Sequence, residues 1–404
     1  MNDSSHAIES TASATRLKIV VAGPSREPLE RIAGALRSHT PLDTVVVGEG
    51  DLAALPTLVA RNDPDLLILV QPLAGGEELE LVERLSRLYP LMTPIVVCDN
   101  QSPEFLMHAM RAGVREILPS AGGTAEVLDA VGRIGQKRGS HPERHGRVLA
   151  FLSCKGAGGG ATFLASNIAY ALAAEEGKRV LLIDLNLQWG DAVFFVSDKK
   201  PSITLADLAM QIHRVDPAYL ASSLVHAHPN LGVLAAPEDP VHALDVKPEH
   251  IDVLLRIARS HFEFVILDTG RALDAVTVRA LDYADTIFPV MQLSLPFIRD
   301  GKRLLDAFRA LEYPESKVKL LVNRYEKGGE ITLQDMERAL GSKAFHTFPN
   351  DYDRVVKSIN QGVPIVKLAH GCAIAKSVRE FAHEFATVPA KAPSGWFNRM
   401  LNRA

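Results

Sequence analysis

The sequence predicts an α/β protein built from two doubly wound parallel-sheet domains. Short β-branched runs alternate with amphipathic helical stretches from about Arg16 to Gly135, and a second alternating series starts at RVLAFLS. Between them, QKRGSHPERHGR at residues 136–147 is polar and charged, contains Gly and Pro, and has no apolar periodicity with which to bury a face. At 404 residues and 47% apolar, the chain is also too long for one typical core. The expected layout is a polar tail at 1–15, a first domain at 16–135, a linker at 136–147, a second domain at 148–386 and a terminal stretch at 387–404.

In the first domain five strands are expected, at LKIVVAG, TVVVGEG, DLLILVQ, TPIVVCD and REILPS. In the second the runs are RVLAFLS, RVLLIDLNL, LGVLAAPE, FEFVILDTG, ADTIFPVMQ and VKLLVNRY, with helical stretches between them. The net charge of −4 argues against a surface built to neutralise nucleic-acid phosphate, so nucleic acid is not an expected partner. Cys98, Cys154 and Cys372 lack CxxC or CxxH spacing, which excludes a disulfide framework or zinc site and fits a reducing cytoplasm. The first residues, MNDSSHAIESTASAT, lack the order of a signal peptide, and no later apolar run has membrane length. The reading is a soluble or peripheral protein.

The chemistry concentrates in SCKGAGGGATFLASNIAYALA, a glycine-rich turn between an apolar strand and an apolar-periodic helix. Successive glycines let backbone N–H groups turn inward on a phosphate, and a helix starting near Thr162 aims its positive dipole end at the same point. Its sequels are VLLIDLNLQWGD, FEFVILDTG, LLVNRY and FPNDYDRVVKSINQGVP, in that order.

Together these segments resemble the MinD/ParA-like deviant Walker ATPases, over roughly Gly146 to Ala386. The resemblance implies a P-loop fold, ATP or ADP with Mg as cofactors, and a homodimer. Lys155 matches the family's signature lysine, which reaches across a nucleotide-bound dimer; Gly156, Gly158, Gly159 and Gly160 form the loop. Counted back from Asn167, Ala161 falls on the Walker lysine and Thr162 on the hydroxyl that ligates magnesium. Counted forward from Lys155, Gly160 takes the lysine position, so neither count supplies one. Asp184 is retained in the switch region, whereas the second acid is Asn186, which cannot accept a proton. With Lys155, Asp184 and Asn186 as the catalytic candidates, hydrolysis is expected to be weak or absent. Asp268 matches the Walker B acid that holds magnesium with Thr162, and Asp191 follows the switch. Asn323 with Arg324 matches the adenine-side position, and Pro349 with Asp351 the loop beneath the base.

The first domain resembles a response-regulator receiver that lacks its chemistry. Gly23, Pro24 and Ser25 stand where the magnesium-holding acids would be, Val70 or Gln71 at the phosphoacceptor, Asp99 at the fourth-strand Thr or Ser, and Ser120 near the last-strand Lys. A phosphorelay role is therefore not expected, and the domain reads as an interaction or localisation module.

Both domains together are similar to the CpaE/TadZ family of tight-adherence (Flp-type) pilus assembly, which GATFLASNIAYALA, DLNLQWGDA and SINQGVP also resemble. That resemblance implies a scaffold contacting pilus or secretion components at the inner membrane or cell pole. The alternative is an active positioning ATPase that cycles on the membrane or on DNA; the absent lysine counts against it.

At the C-terminal end, WFNRMLNRA would place Trp396, Phe397, Met400 and Leu401 on one side of a helix, opposite Asn398, Arg399, Asn402 and Arg403. This amphipathic, basic pattern is expected to meet a membrane surface or a partner.

Overall fold

The computed structural model describes residues 17–140 and 146–387, apart from 41, 42, 63, 74, 75, 90, 91 and 157. The chain divides into two units between Glu143 and Arg144.

The first unit runs β1 (Lys18–Gly23), α1 (Arg26–His39), β2 (Thr44–Glu49), α2 (Leu55–Asn62), β3 (Leu66–Val70), α3 (Glu77–Leu88), β4 (Thr93–Val97), α4 (Pro103–Arg111), β5 (Glu116–Leu118) and α5 (Gly123–Ser140). Its sheet is parallel in the order β2-β1-β3-β4-β5. Period-two alternation sends Val20, Ala22, Leu67, Leu69 and Val96 to one face, against Val59 of α2, Val82 of α3 and Phe105 of α4. Ile19, Val21, Leu66, Ile68 and Ile95 face the other way, against Leu29 and Leu36 of α1 and Val131 of α5. Burying each such side chain contributes about 1.5–3 kcal/mol. Helix α3 shows why the chain folds so locally: Glu77, Glu78 and Glu80 meet the positive end of the helix, while Leu79, Val82 and Leu85 share its buried face.

The division falls inside residues 136–147, the stretch expected as a linker. Helix α5 continues to Ser140, and a strand already begins at Arg147. The buried stripe Val127, Ala130, Val131 and Ile134 nucleates α5, so its last turn needs no apolar residues of its own.

The second unit opens with β6 (Arg147–Ser153), α6 (Ala161–Ala174), β7 (Val180–Leu185), α7 (Leu205–Met210), α8 (Pro217–Ser222), β8 (Val225–His228) and β9 (Leu231–Leu234). It continues with α9 (Pro248–His261), β10 (Phe264–Thr269), α10 (Ala275–Tyr283), β11 (Thr286–Met291), α11 (Leu295–Ala310), β12 (Leu320–Tyr325), α12 (Leu333–Leu340), β13 (Ala344–Pro349), α13 (Tyr352–Gln361), α14 (Ile365–Leu368) and α15 (Ala373–Thr387). Its sheet has the order β13-β12-β11-β6-β10-β7-β9-β8, parallel except for the antiparallel β8–β9 pair. Val148, Ala150 and Leu152 of the central strand β6 join one core with α9, α10 and α11; Leu149 and Phe151 join the other with α6 and α15.

Six of these strands match the expected runs, whereas β8 and β13 come from VHAH and AFHTFP. Both are edge strands, part-buried along most of their length, so their sequences lack the continuous apolar run that marks a central strand. The parallel strands all end at one edge of the sheet, which is where an open α/β sheet binds ligands.

Candidate functional site

The loop from Ser153 to Ala161 is held from outside by its carbonyls. Ser153 Oγ donates to the carbonyl of Lys155 and, at 3.3 Å, to that of Gly156. Gln292 Nε2 donates to the Gly158 carbonyl at 2.7 Å, and Asn323 Nδ2 to the Gly159 carbonyl at 3.0 Å. With these carbonyls turned toward scaffold side chains, the first-turn N–H groups of α6, which have no intrahelical acceptors, open toward the cavity. Gly160 caps α6 at φ 86°, and a Cβ there would lie 2.1 Å from Asn323 Nδ2, so the position needs glycine.

Beneath the loop, Asp184 of β7 and Asp268 of β10 occupy paired register positions, and each is 1% exposed. Asp184 accepts from the backbone N–H of Ala192 at 2.9 Å and of Asn186 at 3.1 Å. Burial pushes its carboxyl up to about 7; the two N–H donors oppose this, and Asp191 adds to it. Asp268 is raised well above the usual carboxylate range by burial first and by Asp184 second, while the Thr162 hydroxyl, hydrogen-bonded to it, pulls it down. Asp268 Oδ2 has no hydrogen-bond partner among the described residues. In the count made back from Asn167, the lysine position falls on Ala161, the first residue of α6.

A cavity of about 1000 Å³ opens above these acids. Its lining includes the loop from Gly158 to Thr162, Gly156, Asn186, Asp191 and Arg271, together with Asn323, Arg324, Pro349, Asp351 and Tyr352. Most candidate residues are thus brought together, with three departures. Lys155 is not on the cavity wall. Asp184 and Asp268 lie behind the wall as its buried floor and do not line it. Asn186 lines the cavity, but its Nδ2 donates to the Trp189 carbonyl at 2.8 Å, so the amide closes the switch turn.

Asn323 is similarly committed. It clamps the loop through Gly159 and accepts from the Arg324 N–H at 2.9 Å, leaving one amide hydrogen without an acceptor among the described residues. Arg324 adopts φ 50°, and its guanidinium lies 5.9 Å from the Tyr352 ring centroid. The Asp351 carboxylate accepts from Arg354 at 2.7 Å.

Arg271, Trp189, Leu244 and Gln292 belong to the site and were not among the sequence candidates. Arg271 was within reach, three residues after Asp268; Leu244, 80% exposed, lies in a segment with no motif. Trp396, Phe397, Met400 and Leu401 lie outside the described residues.

The AAA domain family matches residues 146–319, wholly within the second unit. A ParA family ATPase from Chlorobium tepidum superposes with a TM-score of 0.56 at 29% identity, covering 59% of this chain and 98% of that one. The septum site-determining protein MinD of Helicobacter pylori is 23% identical over 269 residues, 63% of this chain and 97% of its own length. The second unit has the fold of the MinD/ParA P-loop ATPases. MinD from Pyrococcus horikoshii, solved as a complex with Mg-ADP, shares this fold at a TM-score of 0.51 and 19% identity, covering 60% of this chain and 96% of that one. In the MinD/ParA-like domain described here, no cluster of three His, Cys, Asp or Glu side chains stands ready to hold a metal among the described residues. A magnesium ion would therefore depend on Thr162, on Asp268 with its orphaned oxygen, and on the nucleotide's own phosphates.

In the first unit, Gly23 ends β1 against the Val70 carbonyl, and a Cβ there would lie 2.4 Å from that oxygen. Asp99 Oδ1 accepts from the Ser120 N–H at 2.9 Å, which ties the β4 end to the turn after β5. The carboxylate thus has a local structural partner. No helix among the described residues is long and apolar enough to cross a membrane.

Proposed function

We propose that the protein is a dimeric scaffold that positions tight-adherence pilus machinery at the inner face of the membrane, binding Mg-ATP with weak or no hydrolysis. The observation that supports this most directly is a split in the site. The metal side, Thr162 against Asp268, is intact, while the lysine position is Ala161 and the switch amide of Asn186 is tied to Trp189.

In this reading the loop N–H groups and the first turn of α6 cradle the phosphates, Thr162 and Asp268 hold magnesium, and Asn323, Arg324, Pro349 and Asp351 surround the base. Bound Mg-ATP supplies a phosphoanhydride whose charge the site stabilises. Asn186 accepts no proton, so the attacking water lacks a base at that point. Lys155, off this chain's cavity wall, is left to reach a second copy across the dimer. The Mg-ADP complex of the Pyrococcus horikoshii relative supports the nucleotide assignment by fold. The pilus assignment rests on the CpaE/TadZ resemblance of both domains. The first unit, with Val70 at the phosphoacceptor place, serves as a docking module, and the C-terminal segment as a contact to membrane or partner.

The retained Thr162–Asp268 pair favours a second reading, an active positioning ATPase. To separate the two, cells of a piliated host lacking the chain are complemented with the wild type, Lys155→Ala or Asp268→Asn, and surface pili are counted. The scaffold reading expects pili to be lost without the chain and not restored by the binding-defective variants. Normal piliation without the chain contradicts it.

A further inference from the structure

We infer that Arg271 supplies, from within the same chain, the phosphate-binding cation that the loop lacks, and that it acts on the terminal phosphate of a nucleoside triphosphate. This inference rests on the nucleotide reading above.

Charge makes the demand. Asp184, Asp191 and Asp268 converge below the loop, and Ala161 stands at the lysine position. With no lysine on the cavity wall among the described residues, a triphosphate entering this end has its charge met only if another side chain supplies a cation. Among the described residues, the cavity wall carries two cationic side chains, Arg271 and Arg324. Arg324 stands with Tyr352, beside Asn323 at the end of β12, and so belongs to the base side.

Arg271 is placed for the phosphate side. It follows Asp268 by three residues, beyond the end of β10, and its Nη1 comes within 3.8 Å of where a Cβ on Gly156 would lie, at the entry of the loop. The loop from Gly158 and the α6 N-terminus embrace the inner phosphates, so a group at Gly156 on the Asp268 side faces the outer one. The guanidinium is also available. Among the described residues it pairs with Asp300 Oδ2 at 3.9 Å, too long for a hydrogen bond, and Asp300 is shared with Arg299 and Arg303. The Arg271 side chain is 61% exposed, so a phosphate would replace a weak surface pair with charge-assisted hydrogen bonds.

The test is calorimetric titration of Mg-ATP and Mg-ADP into the full chain, as wild type, Arg271→Ala and Arg271→Lys, each checked for an unchanged melting temperature without nucleotide. Arg271→Ala is expected to weaken Mg-ATP about tenfold or more, the worth of one charge-assisted contact, with little change for Mg-ADP; Arg271→Lys recovers part of the loss. Wild-type Mg-ATP affinity in Arg271→Ala, or equal losses for both nucleotides, overturns the assignment while leaving nucleotide binding in place. A wild-type chain that binds neither nucleotide overturns both readings.

Discussion

Asp184 and Asp268 stand opposite one another on adjacent parallel strands, both sealed from solvent, and Asp268 keeps one oxygen without a partner. Burial raises both carboxyls, and the Asp184 charge adds to the rise at Asp268.

The pH dependence follows from the sign of these shifts. From an ordinary value of 3.8, Asp184 rises to about 7 in the folded chain, and Asp268 is also raised well above its ordinary value. Between those values the folded state holds more protons than the unfolded one, so the pair's contribution falls as pH rises from about 4 through 7. Half-buried His346, whose pKa is lowered by desolvation, works in the opposite sense, so the clean quantity is a difference. Asp268→Asn should melt higher than wild type without nucleotide, by an amount that grows between pH 5 and pH 8. A gap that shrinks with pH in thermal melts would refute this.

Restoring the switch acid should not restore hydrolysis. In Asn186→Asp a carboxylate faces the Trp189 carbonyl that now accepts from Nδ2 at 2.8 Å. The expected outcome is a loss on the order of 1 kcal/mol in denaturant unfolding and no increase in phosphate release. A clear gain in release would show that the turn tolerates the acid.

The loop clamp is testable from both sides. Asn323→Ala leaves the Gly159 carbonyl without its donor in a site where Asn323 is 6% exposed, at a cost of about 1–3 kcal/mol. Gly160→Ala, at φ 86° and against Asn323 Nδ2, should cost a similar 1–3 kcal/mol or so. Both should weaken Mg-ATP in calorimetry; unchanged stability and affinity would mean that the loop is set by other contacts.

Ala161→Lys tests the register of the loop. Ala161 is the first residue of α6 and lies on the cavity wall, so a lysine there can extend toward bound phosphate. Mg-ATP affinity should rise by roughly tenfold. Gly158→Lys, within the loop on the far side of Gly160, should give no such gain. Equal effects at the two positions would contradict the assignment.

The sequence was most readable where burial is continuous. Runs such as FEFVILD and VLLIDL are central strands packed on both faces, so their composition alone exposes them. Strands β8 and β13 lie at the sheet edges, and their half-polar sequences carry no such signal. The glycine loop and Thr162, singled out through motif order, lie together on one cavity wall, whereas Asp268 lies off it. That Lys155 leaves the wall, that Asn186 is tied to Trp189 and that Arg271 joins the cavity depend on loop paths, which local sequence does not determine.

The most direct test of the account is calorimetric titration of Mg-ATP into the intact chain, with phosphate release followed on the same sample. Saturable binding at one site per chain is expected, with phosphate release no faster than in Asp268→Asn. No saturable binding, or release well above that of Asp268→Asn, would contradict a nucleotide-binding scaffold with little turnover.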